Sequence, residues 1–211
     1  MEPTIELRVA ELLASRLCHD LVSPVGAVNS GIELLTEFGD DPDGESMALI
    51  SSSARSASDK LLFFRIAYGN AGSGTNVPLS EGLALVAPVC LNQRTEAVID
   101  DASAGAMPGA GPVKLLLCLA LMVGESLPRA GTLMVRVGPD MRTEITASGE
   151  GARIGDGERA ALAGELASDK LDPRTAHAHF TNSVARRLGV ATDVSHDTDS
   201  VVFAAQLPTA D

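Results

Sequence analysis

Aromatic residues are nearly absent from this chain, which has no Trp, one Tyr and five Phe. Its core must therefore be built from Leu, Val, Ala, Ile and Met. Cysteine is scarce as well. Cys18, Cys90 and Cys118 are odd in number, far apart and set among apolar neighbours. They form no metal-ligand spacing and read as buried thiols in a reducing compartment. Basic residues are outnumbered, giving a net charge of −12. That balance argues against a nucleic-acid backbone as main partner and disfavours an anionic membrane surface. The longest apolar run, Leu115 to Val123, is too short to span a bilayer. The N-terminus opens with acidic residues and no signal peptide is visible, so a cytoplasmic protein is expected.

What is present is a long helical pattern around Arg16-Leu17-Cys18-His19-Asp20-Leu21-Val22-Ser23-Pro24. With 211 residues and 45% apolar content the chain can hold one large domain or two small ones. The first helix is expected from about Ile5 to Phe38, with Leu13, Leu17, Leu21, Val25, Val28, Ile32 and Leu35 on one face. His19 falls on the opposite side, facing water. Ser23, Gly26 and Ser30, one to three turns on, are small and would let another protein approach closely. Pro24 removes one helical hydrogen bond and is expected to bend the helix beside His19. The acidic turn Gly39-Asp40-Asp41-Pro42-Asp43-Gly44 follows. A calcium reading of it fails on register: with Gly44 at the sixth loop position, Gly39 and Ile50 occupy positions that need carboxylates. No metal site is expected.

A second helix, about Glu45 to Tyr68, would return antiparallel to the first. Two helices with wide apolar faces bury too little alone, so pairing of two hairpins into a four-helix bundle, a homodimer, is expected. Docking on the second domain could cover part of the same surface. The run Gly69 to Pro78 is linker-like and divides the chain into a hairpin domain, 1–70, a linker, 71–78, and a second domain, 79–211. That domain reads as a helix from Leu79 broken or bent at Pro88, a strand near Thr95 to Ile99, and an apolar helix Val113 to Leu127. A hairpin, Thr132 to Val137 and Arg142 to Ala147, comes next. Helices Glu158 to Ala167 and Thr175 to Leu188 precede a last pair of strands, Val190 to Val194 and Val201 to Leu207. The class is α+β, with an antiparallel sheet carrying helices on one face.

His19-Asp20-Leu21-Val22-Ser23-Pro24 resembles the H box of sensor histidine kinases, where a His on the first helix of a dimeric hairpin carries the phosphoryl group. The helix, turn, helix, linker, α+β order is similar to the kinase layout, and the second domain resembles the Bergerat-type ATP-binding domain, an α/β-sandwich. Its chemistry departs from that pattern. Met122 stands where the kinases place a magnesium-holding Asn, and a thioether does not replace a hard oxygen ligand. Ala147, ahead of Ser148-Gly149-Glu150-Gly151, stands where an Asp reads adenine. Arg174 to Phe180 lacks the glycine of the phosphate loop. The combination is similar to the ChpT-type histidine phosphotransferases, with Gly26-Ala27, Gly31 to Leu34 and Phe64 to Gly69 extending the match.

That resemblance implies a phosphorelay protein that takes a phosphoryl group on His19 from the receiver domain of a hybrid histidine kinase. It would pass the group to the Asp of response-regulator receivers. It implies no ATP binding and no cofactor of its own, the magnesium coming from the receiver. Asp20 could fix the His19 tautomer or move a proton, or could instead pair with Arg16 four residues back. Arg16, Ser23, Pro24, Gly26 and Ser30 are the expected partner-binding residues. Cys18 is expected to pack in the bundle, and His177 and His179 to serve plain surface or capping roles rather than to bind metal. The competing functions are an active histidine kinase with a diverged nucleotide site and a non-catalytic scaffold that docks receivers.

Overall fold

A computed structural model describes residues 7–39, 43–69, 77–90, 95–102, 108 and 111–208. The chain opens with two long helices, α1 (Leu7–Phe38) and α2 (Glu45–Ala67). They lie side by side because the connection between them is short. Gly31 marks the close approach: a Cβ there would sit 2.6 Å from Ile50 Cγ1 and 3.2 Å from the Ser46 carbonyl oxygen. The linker expected at 71–78 lies mostly outside the described residues. So do residues 40–42 of the acidic turn after α1. Among the described residues no group of His, Cys, Asp and Glu could hold a metal ion. Nor is any described helix long and apolar enough to cross a membrane.

The second part begins with α3 (Leu79–Cys90), which continues through Pro88. β1 (Thr95–Asp101), α4 (Pro112–Glu125), β2 (Gly131–Val137) and β3 (Arg142–Ser148) follow. Then come α5 (Asp156–Ala163), a 3-10 turn at Ser168–Lys170, α6 (Pro173–Leu188), β4 (Thr192–Asp197) and β5 (Ser200–Gln206). The strands form one sheet in the order β1-β2-β3-β5-β4. The class is α+β, but the sheet is mixed where an antiparallel one is expected from the sequence. β1 runs parallel to β2, and the other neighbours are antiparallel. The cause is α4, which lies between β1 and β2 in sequence and carries the chain back across the sheet.

Alternation along the strands turns Leu133, Val135, Val137, Ile145, Ala147, Val201 and Phe203 toward the helices, all buried. α4 is buried from Pro112 to Val123 and forms the centre of the core. The same core includes Val9 and Leu13 of α1 and Phe63, Phe64, Ile66 and Ala67 of α2. The lower half of the hairpin is thus packed into the second part. The upper half is not. Val22, Val25 and Ile32 of α1 and Met47 of α2 stay exposed there, while Leu61 and Leu62 are exposed lower on α2, beside the buried Phe63 and Phe64. The apolar stripe of α1 is therefore split, with Leu13 buried, Leu17 and Leu21 half-buried, and Val25 and Ile32 open.

Candidate functional site

His19 stands on α1 with its side chain 89% exposed. Its Nδ1 lies 3.3 Å from Asp20 Oδ1. Such an arrangement favours the tautomer with the proton on Nδ1, leaving the Nε2 lone pair toward solvent. Of the expected small neighbours, Ser23, Gly26 and Ser30 are exposed, and a Cβ built on Gly26 meets nothing within 4 Å. The open approach to His19 is real.

Arg16 and Pro24, expected on that surface, lie inside instead. Arg16 is 8% exposed and ion-paired with Glu125 at the end of α4, so it joins the hairpin to the second part and does not pair with Asp20. Burial opposes the Arg16 charge, but Glu125, Tyr68 and Asp20 outweigh it and hold the guanidinium protonated. Burial also lifts the Glu125 carboxyl above its ordinary range, against the pull of Arg16. Cys18, expected in the bundle, is exposed, while Cys90 and Cys118 are buried. Position 18 follows Leu17, the half-buried side of the helix, by one step of about 100°, which is enough to turn it outward.

A second anchor lies at the foot of α2. The only tyrosine, Tyr68, stacks on Phe64 at 5.4 Å and meets Phe180 edge-on at 5.5 Å. Its hydroxyl donates to His177 Nδ1 at 3.0 Å. His177 Nε2 in turn donates to the Cys118 carbonyl at 3.0 Å. His177 is buried, where a surface or capping role is expected, and burial first, then Arg16, pushes its pKa down to about 3. Cys118, pushed up to about 12 mainly by burial, stays a thiol. Lys114 of α4 donates to the Gly69 carbonyl at 2.6 Å, satisfying the end of α2. Nothing in the sequence near Tyr68 or His177 signals this chain of contacts, since its members come from α2, α4 and α6.

The residues expected at nucleotide-contact positions, Met122, Ala147 and the stretch from Arg174, line a small cavity or pack in the core. Met122, Glu125, Ser126, Arg153, Ile154, Glu158, Arg174 and His177 line a cavity of about 10 Å3, room for one water. Ala147 is fully buried in β3, facing the core. Gly149 is needed for backbone packing, because a Cβ there would lie 2.6 Å from the Ala130 carbonyl oxygen. The Gly151 N–H donates to Asp199 Oδ1 at 2.7 Å. At the start of α6 the Asp172 carboxylate accepts the N–H groups of Arg174 and Thr175 at 2.9 and 2.8 Å. Those bonds, Thr175 first, hold Asp172 below the usual carboxylate range. The helix end that could cradle a phosphate is capped by the chain's own anion.

A family model described as the histidine phosphotransferase C-terminal domain matches residues 84–200. The chain belongs to the histidine phosphotransferase family. The phosphotransferase is 35% identical over 204 residues to the protein phosphotransferase ChpT of Brucella abortus (strain 2308), covering 95% of this chain and 96% of that one. It is also similar to a solved structure of a bacterial phosphotransferase at 1.7 Å. That structure is 32% identical, with a TM-score of 0.80, and the match covers 96% of this phosphotransferase and 98% of the other chain.

Proposed function

We propose that His19 is the phosphoacceptor of this phosphotransferase, taking its phosphoryl group from the receiver domain of a hybrid histidine kinase. The attacking Nε2 forms an N–P bond as the O–P bond of the receiver's aspartyl phosphate breaks, and the receiver's carboxylate leaves. The group then passes from the phosphoimidazole to the Asp of a response-regulator receiver by the reverse exchange. Asp20, beside Nδ1, orients the ring and faces the positive charge that develops on it. The receiver brings the magnesium ion that neutralises the moving phosphoryl group. The observation that carries this reading is the 89% exposure of an imidazole whose other nitrogen is already engaged.

The reading includes no ATP. It is supported by the 10 Å3 cavity, far below the several hundred Å3 a nucleotide needs, and by the Asp172 cap. It also includes a homodimer, supported by the exposed Val22, Val25 and Ile32 of the upper hairpin and Leu61 lower on α2. A cytoplasmic setting agrees with three free thiols. The test supplies a 32P-phosphorylated receiver domain with magnesium to the purified protein, then adds a second receiver. Label should reach this protein and leave it for the second receiver. Labelling from radiolabelled ATP with no other kinase present would contradict the proposal in favour of a kinase. A His19→Ala variant that still relays phosphate would favour a scaffold.

A further inference from the structure

Pro24 lies four residues after Asp20 on α1. In a regular helix the Asp20 carbonyl accepts the N–H of the residue at that spacing. Proline has no such hydrogen, and its ring crowds the carbonyl. The acceptor one residue from His19 would then lack its helical partner. Across the hairpin, Lys60 of α2 supplies one: its Nζ donates to the Asp20 carbonyl at 2.9 Å. The lysine suits this task, since its long stem and rotatable ammonium can meet a carbonyl that has tilted away from the axis.

We propose that Lys60 is a positioning residue for His19, closing the gap that Pro24 makes in α1 and fixing the turn that carries the imidazole and Asp20. His19 then sits between two anchors to the rest of the fold. Arg16 is held by Glu125 on one side, and the Asp20 carbonyl is held by Lys60 on the other. Asp20, Lys60 and Glu125 together rim an open groove of about 240 Å3 between the hairpin and α3 and α4. A loosened turn would leave the imidazole reactive but spread over orientations, which slows an in-line transfer more than it weakens receiver binding. This inference rests on the reading of His19 as phosphoacceptor.

The test is a double-mutant cycle on the full chain: wild type, Lys60→Met, Pro24→Ala and the double variant. The rate of transfer from a 32P-phosphorylated receiver to His19 is measured at saturating receiver. With Pro24 present, Lys60→Met should slow transfer about tenfold. In the Pro24→Ala background the same change should slow it less than about twofold, because alanine restores the helical N–H. Lys60→Arg, which keeps a cationic donor, should recover most of the rate. Equal losses in both backgrounds would overturn the proposal, and so would a loss under about twofold with Pro24 present. If Pro24→Ala itself stops transfer, the thermal midpoints of the four proteins carry the same cycle. Lys60→Met must then lower the midpoint more with Pro24 present than in the Pro24→Ala background, and equal lowering would overturn the proposal. Failure of the wild-type protein to be labelled would count against His19 as acceptor, and the midpoint cycle would still judge Lys60.

Discussion

On α1 the His19 side chain is 89% exposed, with open space at Gly26 two turns further along the helix. On α6 the comparable polar groups are occupied by the chain itself: His177 by Tyr68 and Cys118, and the helix start by Asp172. The first region keeps an imidazole open to solvent, and the second uses its polar groups as internal connections. The difference shows how the second part serves as support: the Tyr68–His177 bond ties the hairpin to α6, and Asp172 closes the start of that helix.

The sharpest way to break that contrast is to remove the exposed imidazole, the proposed nucleophile. His19→Gln should reduce acceptance of label from a phosphorylated receiver by at least about a thousandfold, with an unchanged circular dichroism spectrum. The next test concerns the uncovered half of the hairpin. Val25→Asp with Ile32→Asp should convert a dimer to monomer, weakening association by about a hundredfold or more in sedimentation equilibrium.

The occupied region predicts a pH effect. His177 is neutral in the fold down to about pH 3, while in the unfolded chain it gains a proton near its ordinary value. The unfolded state thus binds more protons between these values, so stability is complete above the ordinary pKa and falls as pH drops below it. From pH 7 to pH 5 the contribution lost is about 2 kcal/mol, read by urea unfolding, and a His177→Gln variant should lack that slope. Tyr68→Phe removes one hydrogen bond of the same chain and should cost about 1 kcal/mol at pH 7. The smallest effect is at the open surface. Gly26→Leu should slow receiver transfer several-fold, about 1 kcal/mol in the barrier, while stability stays within about 0.5 kcal/mol.

Much of this was legible in the sequence because it depends on local period and spacing. The stripe of α1, the position of His19 opposite it, and the alternation in β2 and β3 are properties of single segments. The parts that were not legible depend on where segments meet. Arg16 looks like a surface cation until Glu125 of α4 arrives beside it. His177 looks like a capping residue until Tyr68 and Cys118 close around it. Cys18 is a small apolar residue that packing could have taken either way. The parallel pairing of β1 had a signal, a strand-helix-strand order, which an all-antiparallel reading passes over.

The most direct measurement maps the phosphoryl group by fragmentation mass spectrometry at alkaline pH, after transfer from a phosphorylated receiver. The chain has four histidines, of which His177 is buried and His196 lies exposed on β4. The account predicts phosphate on His19 alone. Phosphate on His196 or His179, with His19 unmodified, would contradict it.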